Sequence, residues 1–267
     1  MKAILLPTDF SKNSLQSIDF AVKKLKSDST KLIILNVFQI PQGGQSGLFY
    51  LQEEMQKQAD RDMNDLKQKL VSLYGESAKD WVYKISQGDL SDQTNAIAND
   101  YDVDCIVTGT KGASGLKEVL IGSNTVSLIN NLKRPLYAIP TDYDYNQIEE
   151  VIFPFDGKEF AQDIADKVSL FAKKHNLPID IVHVRTKDED IIKDWTPVKS
   201  RFDGLDVDCI DAYAEKFEDG LNKAINEKKG IIAMIRHKQS FWERLFNRSD
   251  SRKILMHAQL PILVVPE

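Results

Sequence analysis

Three glycines and a serine, spaced Gly109-x2-Gly112-x9-Gly122-Ser123, follow directly on the apolar run Cys105-Ile106-Val107-Thr108. A main chain that loosens where a buried strand ends suits the cradling of phosphate. Glycine lets backbone N–H groups approach an anion with no Cβ in the way, and the helix that follows offers unpaired N–H groups and a positive dipole end. Ser123 and Thr125 add hydroxyl donors at that helix start. Lys111 and Lys117 lie in and after the exposed loop, where lysines are ordinarily solvated, and are left outside the site.

A second chemical group stands about a hundred residues earlier, where the apolar run Ile4-Leu5-Leu6 ends in Pro7-Thr8-Asp9-Phe10-Ser11. Alone, Asp9 reads as a helix cap. Together with the glycines it points to one nucleotide site. The stretch Thr108-Gly-Thr-Lys-Gly-Ala-Ser-Gly-Leu-Lys-Glu-Val-Leu-Ile-Gly-Ser-Asn-Thr125 resembles the ATP-binding loop of the universal stress protein family, and residues 4–11 resemble its first strand and terminal aspartate. The resemblance implies that Pro7, Thr8 and Asp9 line the adenosine side and that Val37 recognises adenine through its backbone. Gly109, Gly112, Gly122, Ser123 and Thr125 would then surround the phosphates. Asp9 either contacts the nucleoside or helps place Mg²⁺, because a hard cation bridging phosphates commonly takes one carboxylate plus waters; the sequence leaves both open, and it leaves the choice among ATP, ADP and AMP open too.

The elements that must position these groups alternate. Period-2 and buried apolar runs predict strands near 2–8, 32–38, 81–87, 103–108 and 135–139, separated by segments of helical spacing. Ser11 caps a helix carrying Ile18, Ala21, Val22 and Leu25. A long charged helix is expected over about 50–74, with Leu66, Leu70 and Leu73 inward, then one from 89–91 toward Ala98 and one over 122–131. Short apolar strands with helical crossovers imply a parallel α/β sheet covered on both faces. The resemblance adds the strand order 3-2-1-4-5 of a doubly wound, flavodoxin-like sheet akin to the adenine nucleotide alpha hydrolases. In that order strands 1 and 4 lie side by side with connections leaving in opposite directions, so a crevice opens at their carboxyl ends, after Asp9 and Gly109.

The chain also repeats itself. Pro7 and Asp9 recur as Pro154 and Asp156, 147 residues on, and the strands near 32–38 and 179–185 keep that offset. The run 135–140 recurs at 261–266, only 126 residues on, so the second copy is 21 residues shorter, the loss falling between its second and fourth strands. Two tandem five-stranded domains follow: 1–141 with an intact nucleotide motif, and 149–267 with a degenerate phosphate loop. In the second copy Gly109, Gly112, Gly122 and Ser123 become Ile235, Lys238, Arg248 and Ser249. Such residues do not readily take φ > 0 or allow the same approach to polyphosphate, so this half is expected not to bind ATP, although Asp156 and Val184 keep the adenosine-side pattern. Phe241, Trp242, Leu245 and Phe246 in the replaced loop either fill the vacated crevice as core or form a docking surface for a protein partner. The resemblance further implies that the copies pair through their last strands as an intramolecular pseudo-dimer, with homodimerisation left open.

Bulk properties set bounds. With 267 residues, 42% of them hydrophobic and 28% charged, the chain can build two ordinary cores. A formal net charge of −5 argues against general nucleic-acid binding. The N-terminal apolar run reaches Pro7 and Asp9 too soon for a signal peptide, no run approaches membrane-spanning length, and Cys105 and Cys209 read as reduced buried thiols, so a cytoplasmic protein off the membrane is expected. His175, His183, His237 and His257 sit in no metal or catalytic motif, and no nucleophile elbow, Walker A lysine or Rossmann signature occurs. No catalytic residue is assigned. The leading function is a nucleotide-responsive stress regulator. The alternatives are an interaction module with a vestigial site and a slow ATP hydrolase, the latter lacking an identifiable base near the γ-phosphate.

Overall fold

The apolar runs that open the chain become parallel strands. A computed structural model describes residues 1–40, 48–110, 122–187, 191–226, 228–236 and 260–267, which divide into one unit ending at Arg134 and another running from Pro135 to Glu267. In the first unit β1 (Ala3–Pro7), β2 (Lys31–Phe38), β3 (Val82–Gln87) and β4 (Cys105–Gly109) lie in the order β3-β2-β1-β4, each pair parallel. Every residue of β1 and β4 is buried, as an apolar strand covered on both faces requires.

Helices α1 (Lys12–Phe20), α2 (Leu48–Tyr74), α3 (Leu90–Asp100) and α4 (Ser123–Asn131) connect them, α1 running on into a π-helical turn over Ala21–Leu25. Ser11 caps α1 by accepting from the N–H of Ser14 at 3.2 Å, and Asp89 caps α3 through the N–H groups of Ser91 and Asp92. The inner stripe of α2 departs from expectation at its end. Ala59, Met63, Leu66 and Leu70 are buried but Leu73 is 60% exposed. The i, i+4 step from Leu70 reaches Tyr74 instead, whose hydroxyl donates to Asp19 at 2.5 Å and whose ring packs on Trp81.

The second unit holds β5 (Leu136–Ile139), β6 (Glu150–Phe155), β7 (Ile179–Arg185), β8 (Val207–Tyr213), β9 (Gly230–Arg236) and β10 (Ile262–Pro266), ordered β5-β10-β9-β6-β7-β8. Its pairs are parallel except β5 with β10, which run antiparallel. Four strands thus fall in the first unit and six in the second. By mating with β10, β5 packs with the second unit, and the pairing covers an apolar edge that would otherwise invite aggregation. Helices α5 (Gln162–His175), α6 (Thr196–Lys199) and α7 (Phe217–Ile225) complete it. The missing residues of the second copy fall where the 27-residue α2 gives way to the four-residue α6.

At the amino end of these strands, Lys228 bonds both Glu150 at the start of β6 and Asp180 on β7, all three side chains being mostly buried. Burial pushes the Glu150 carboxyl up, and its hydrogen bond with Asp180 adds to this. Burial also acts to raise Asp180, but the bonds from Lys228 and Glu150 prevail and hold it below the ordinary value. Lys228 is raised in spite of burial by the same two partners. The stabilisation from Asp180 is present above its unfolded pKa and lost as pH falls through the depressed folded value, that from Lys228 is lost only in alkali, and Glu150 favours its neutral form. Lys228→Met should cost about 2 kcal/mol near neutrality, because two carboxyls are left facing each other in a low-dielectric site. Denaturant melts of the variant and the parent at stepped pH should show that cost shrinking toward about pH 4, where protonation relieves the pair; a pH-independent difference would refute the assignment.

Candidate functional site

A cavity of about 350 Å³ opens at the carboxyl ends of β1, β2 and β4 in the first unit, lined by residues of those strands, of α1, and of the first turns of α3 and α4. It gathers Pro7, Thr8, Asp9, Val37, Gly109, Gly122, Ser123 and Thr125, eight of the nine positions expected from sequence. Gly112 lies outside the described residues, as does the segment 237–259 with Phe241, Trp242, Leu245 and Phe246. Ser14, Asn36, Leu90, Thr108 and Asn124 also line the cavity and were not expected. The signal for Ser14 and Asn36 was there to be read: each is a polar residue where the pattern calls for an apolar one, Asn36 interrupting the run Leu32-Ile33-Ile34-Leu35 and Ser14 standing one turn before the buried Ile18.

The turn after β1 is fixed by its own side chains. Thr8 Oγ1 accepts from the N–H of Phe10 (3.0 Å) and bonds Ser14 Oγ (3.0 Å), while Ser14 Oγ donates to the carbonyl of Ser11 (2.9 Å). Since the Ser14 proton goes to Ser11, Thr8 is the donor in the Thr8–Ser14 bond. Asp9 accepts from the N–H of Ser11 (3.1 Å) in an Asx turn. Asn36 Nδ2 donates to the carbonyl of Thr8 (2.8 Å), tying the end of β2 to that of β1. Phe10 holds φ of 63°, a left-handed conformation unusual for a bulky residue, and it sits within this net.

On the other wall the chain leaves at Thr110 and returns at Gly122, whose N–H donates to the Thr110 carbonyl at 2.7 Å. Gly122 is the N-cap of α4 and brings no side-chain cap, so the first-turn N–H groups of α4 meet no capping side chain of their own helix where Ser123, Asn124 and Thr125 line the cavity. Thr125 is buried and donates its hydroxyl to the Gly109 carbonyl at 2.8 Å. Its proton thus ties helix to strand, and what it can offer a ligand is its oxygen and its backbone N–H.

Gly109 and Gly122, the motif glycines among the described residues, do not use left-handed backbone, and Gly122 has φ of −61°, open to any residue. Gly109 is required by contact: a Cβ there would stand 2.3 Å from Asn13 Oδ1 and 2.5 Å from Asn13 Cγ, and Asn13 is itself buried.

The second copy shows what happens when this arrangement is replaced. On the 147-residue offset Thr8, Asn13, Ser14 and Asn36 become Phe155, Phe160, Ala161 and His183, while Ile235 stands for Gly109. β9 runs straight through Ile235 to Arg236, where β4 stops at Gly109. Phe155 packs on Phe160, His183 and Trp195 with ring centres 5.9 to 6.5 Å apart. Val184, which keeps the adenosine-side sequence pattern, is 2% exposed and pressed by α7, a Cβ on Gly220 falling 2.2 Å from its Cγ1. Val37 in the first unit keeps a partly open face and lines the cavity. The Asp156 pattern survives, its carboxylate accepting from the N–H of Lys158 as Asp9 accepts from that of Ser11.

Among the described residues no group of three His, Cys, Asp or Glu side chains gathers to hold a metal, and no helix is long and apolar enough to cross a membrane. Cys105 and Cys209 are free thiols.

The fold is α/β, with a parallel-dominated sheet and a helix start and a strand-end carboxylate meeting at one cavity. Residues 1–140 match the model of the universal stress protein family, and the chain belongs to that family. It is 28% identical to universal stress protein MJ0577 of Methanocaldococcus jannaschii, the match covering 52% of this chain and 94% of that protein. A universal stress protein from Archaeoglobus fulgidus has the same fold over 99% of this chain and 96% of its own, with a TM-score of 0.74 at 20% identity. A functionally unknown protein of Pseudomonas aeruginosa aligns over 100% of this chain and 92% of its own with a TM-score of 0.59 at 10% identity. At those identities the two structures speak for the fold alone.

Gly109→Ala should destabilise the first unit by about 1–3 kcal/mol, the cost of overpacking against the Asn13 amide. Asn13→Ala in the same chain should recover part of that loss in a double-mutant cycle. Additive effects in denaturant melts would show that the two residues do not meet.

Proposed function

We propose that the first unit binds an adenine nucleotide and that the protein is a nucleotide-responsive stress protein of the cytoplasm. The observation that carries this reading is the convergence on one cavity of Pro7, Thr8, Asp9 and Val37 from the ends of β1 and β2 with Gly109, Gly122, Ser123 and Thr125 from the end of β4 and the start of α4. Val37 and Leu90 offer apolar surface for a flat base, and the α4 start offers N–H groups and a positive dipole end for phosphate. Asp9 is a carboxylate able to accept from a ribose hydroxyl or to join a Mg²⁺ that arrives with the nucleotide. ATP, ADP and AMP share this chemistry. Gly112 belongs to the same phosphate loop by sequence.

Domain limits of 1–141 and 149–267, each a copy of one five-stranded sheet ordered 3-2-1-4-5, belong to the same reading, with β5 and β10 as the fifth strands of the two copies. Replacement of the polar net by Phe155, Phe160 and His183 makes the second copy a structural partner rather than a second nucleotide site. Binding without turnover is the activity proposed. The cavity is lined by hydroxyls, amides and Asp9, and Asp9 already accepts from the N–H of Ser11.

Calorimetric melts with ATP, AMP and no ligand, each with and without Mg²⁺, test the reading. Ligand at a hundred times its Kd should stabilise by about 2.7 kcal/mol. Gly122→Glu, whose backbone angles suit any residue but whose carboxylate would enter the cradle, should abolish the shift while leaving the ligand-free melt within about 0.5 kcal/mol. An unmoved melt of the parent chain at millimolar ATP and AMP would end the proposal.

A further inference from the structure

Helix α4, whose first turn would meet the phosphates, has little of its own to hold it in place. It runs nine residues, Gly122 gives it no side-chain cap, and it carries neither an acid in its first turn nor a base in its last. A helix this short is marginal by itself in water, so its neighbours must fix it. At its start the Thr125 hydroxyl binds the Gly109 carbonyl. Along its length polar side chains stitch it to α3. Ser91 and Asn95 stand one turn apart on α3 and face Ser127 and Asn131, one turn apart on α4. Ser91 Oγ and Ser127 Oγ share a hydrogen bond at 2.9 Å, and Asn131 Nδ2 donates to the Ser127 carbonyl at 2.8 Å. Asn95 closes the far end: its Nδ2 donates to the Asn131 carbonyl (3.1 Å) and its Oδ1 accepts from the N–H of Lys133 (3.3 Å). Asn131 is the last residue of α4, so its carbonyl finds no partner within the helix, and Asn95 caps it from α3.

We infer that Asn95 is a positioning residue for the phosphate end of the ligand: by gripping the end of α4 it fixes the line along which the start of that helix faces the cavity. This rests on the nucleotide reading above and adds to it the side chain that holds the cradle. Both halves of the Asn95 amide are engaged by partners of opposite kind, so it cannot turn over without losing both bonds. Its own helix is anchored at the cavity, where Asp89 caps α3 through the N–H groups of Ser91 and Asp92 and Leu90 lines the wall. Ser123, Asn124 and Thr125 line the same cavity from the start of α4. A nine-residue helix is about 14 Å long, so a bond at Thr125 alone leaves it free to pivot, whereas bonds at Thr125, Ser127 and Asn131 set its axis. Loss of the last of these frays the final turn and weakens the aligned dipoles that favour an anion at the start. The nucleoside part of the ligand would meet Pro7, Thr8, Asp9 and Val37 on the other wall, and its binding does not draw on α4.

ATP and adenosine, which share the nucleoside and differ in the phosphates, are the probes, and titration calorimetry on the full chain is the readout. Asn95→Ala should weaken ATP binding about fivefold and leave adenosine within about twofold of the parent. A merely structural role would lower the fraction of competent protein and so weaken both ligands by one factor. Should Asn95→Ala fail to fold, Ser127→Ala removes the middle bond of the same seam and should show the same selective loss. Equal weakening of the two ligands, or an ATP affinity that the substitution leaves unchanged, overturns this inference and leaves nucleotide binding standing. No uptake of ATP by the parent chain overturns both.

Discussion

The amide of Asn13 lies where a Cβ on residue 109 would be, and the first unit is built around that approach. Asn13 belongs to the first turn of α1 and Gly109 to the last position of β4, so the contact brings the helix that leaves β1 against the end of the neighbouring strand. The Gly109 carbonyl then receives the Thr125 hydroxyl, which draws in the start of α4. Thr8, at the end of β1, is linked through Ser14 to the same turn of α1 and through Asn36 to β2. Five elements are thus fixed at one end by side chains of modest size, and the cavity is the space their small volumes leave. Larger residues at these places would convert it into core.

That conversion is visible within the same chain. At the positions matching Thr8, Asn13 and Asn36, the second copy has Phe155, Phe160 and His183, and its matching strand continues through Ile235. The changes make sense as a set. A β-branched side chain in place of Gly109 has no room beside an amide in the Asn13 position, and a polar net facing an aromatic cluster would leave donors unsatisfied in a dry interior. The Nδ1 of His183 is such an atom, buried without a bond and 3.6 Å from Asp211 Oδ1, which already takes the Arg185 Nε at 2.8 Å. Conversely, Thr8, Asp9, Ser11 and Ser14 in the turn after β1 are each hydrogen-bonded, which is what a site that must keep its shape around a charged ligand needs.

Much of this was legible in the residues, and the illegible part has a physical cause. The strands β1 and β4 announce themselves as apolar runs, Asp89 and Ser11 as caps, and Gly122 with Ser123 as the start of a helix, because each signal is local and acts over a few residues. The repeat exposed the loss of the phosphate motif in the second copy. What local patterns do not carry is partnership. The contact that excludes a Cβ at Gly109 comes from Asn13, 96 residues away in sequence, so the glycine could be noticed while its want of a Cβ was assigned to the approach of an anion. Thr125 was correctly placed at the helix start, yet the destination of its proton depends on the end of β4. The placement of β5 depends on β10, which follows it by more than a hundred residues, and the inward step from Leu70 to Tyr74 rather than Leu73 depends on an acceptor on α1.

Phe10 extends the reasoning from packing to readiness. A bulky residue in the left-handed region costs on the order of 1–3 kcal/mol and persists only where its surroundings over-determine it. Here its N–H is held by Thr8 Oγ1, and the next N–H by Asp9, while Ser11 beyond them begins α1 with a cap. The strained residue is therefore preceded by a threonine and an aspartate whose oxygens are fixed by the bonds that impose the strain. A looser turn would relieve Phe10 and release Asp9 to many rotamers, each of which a ligand would have to exclude on binding. Holding the turn in one conformation places that ordering cost in the folding of the unit, where the buried β1 and its neighbours can offset it, and leaves the carboxylate at the cavity wall already arranged.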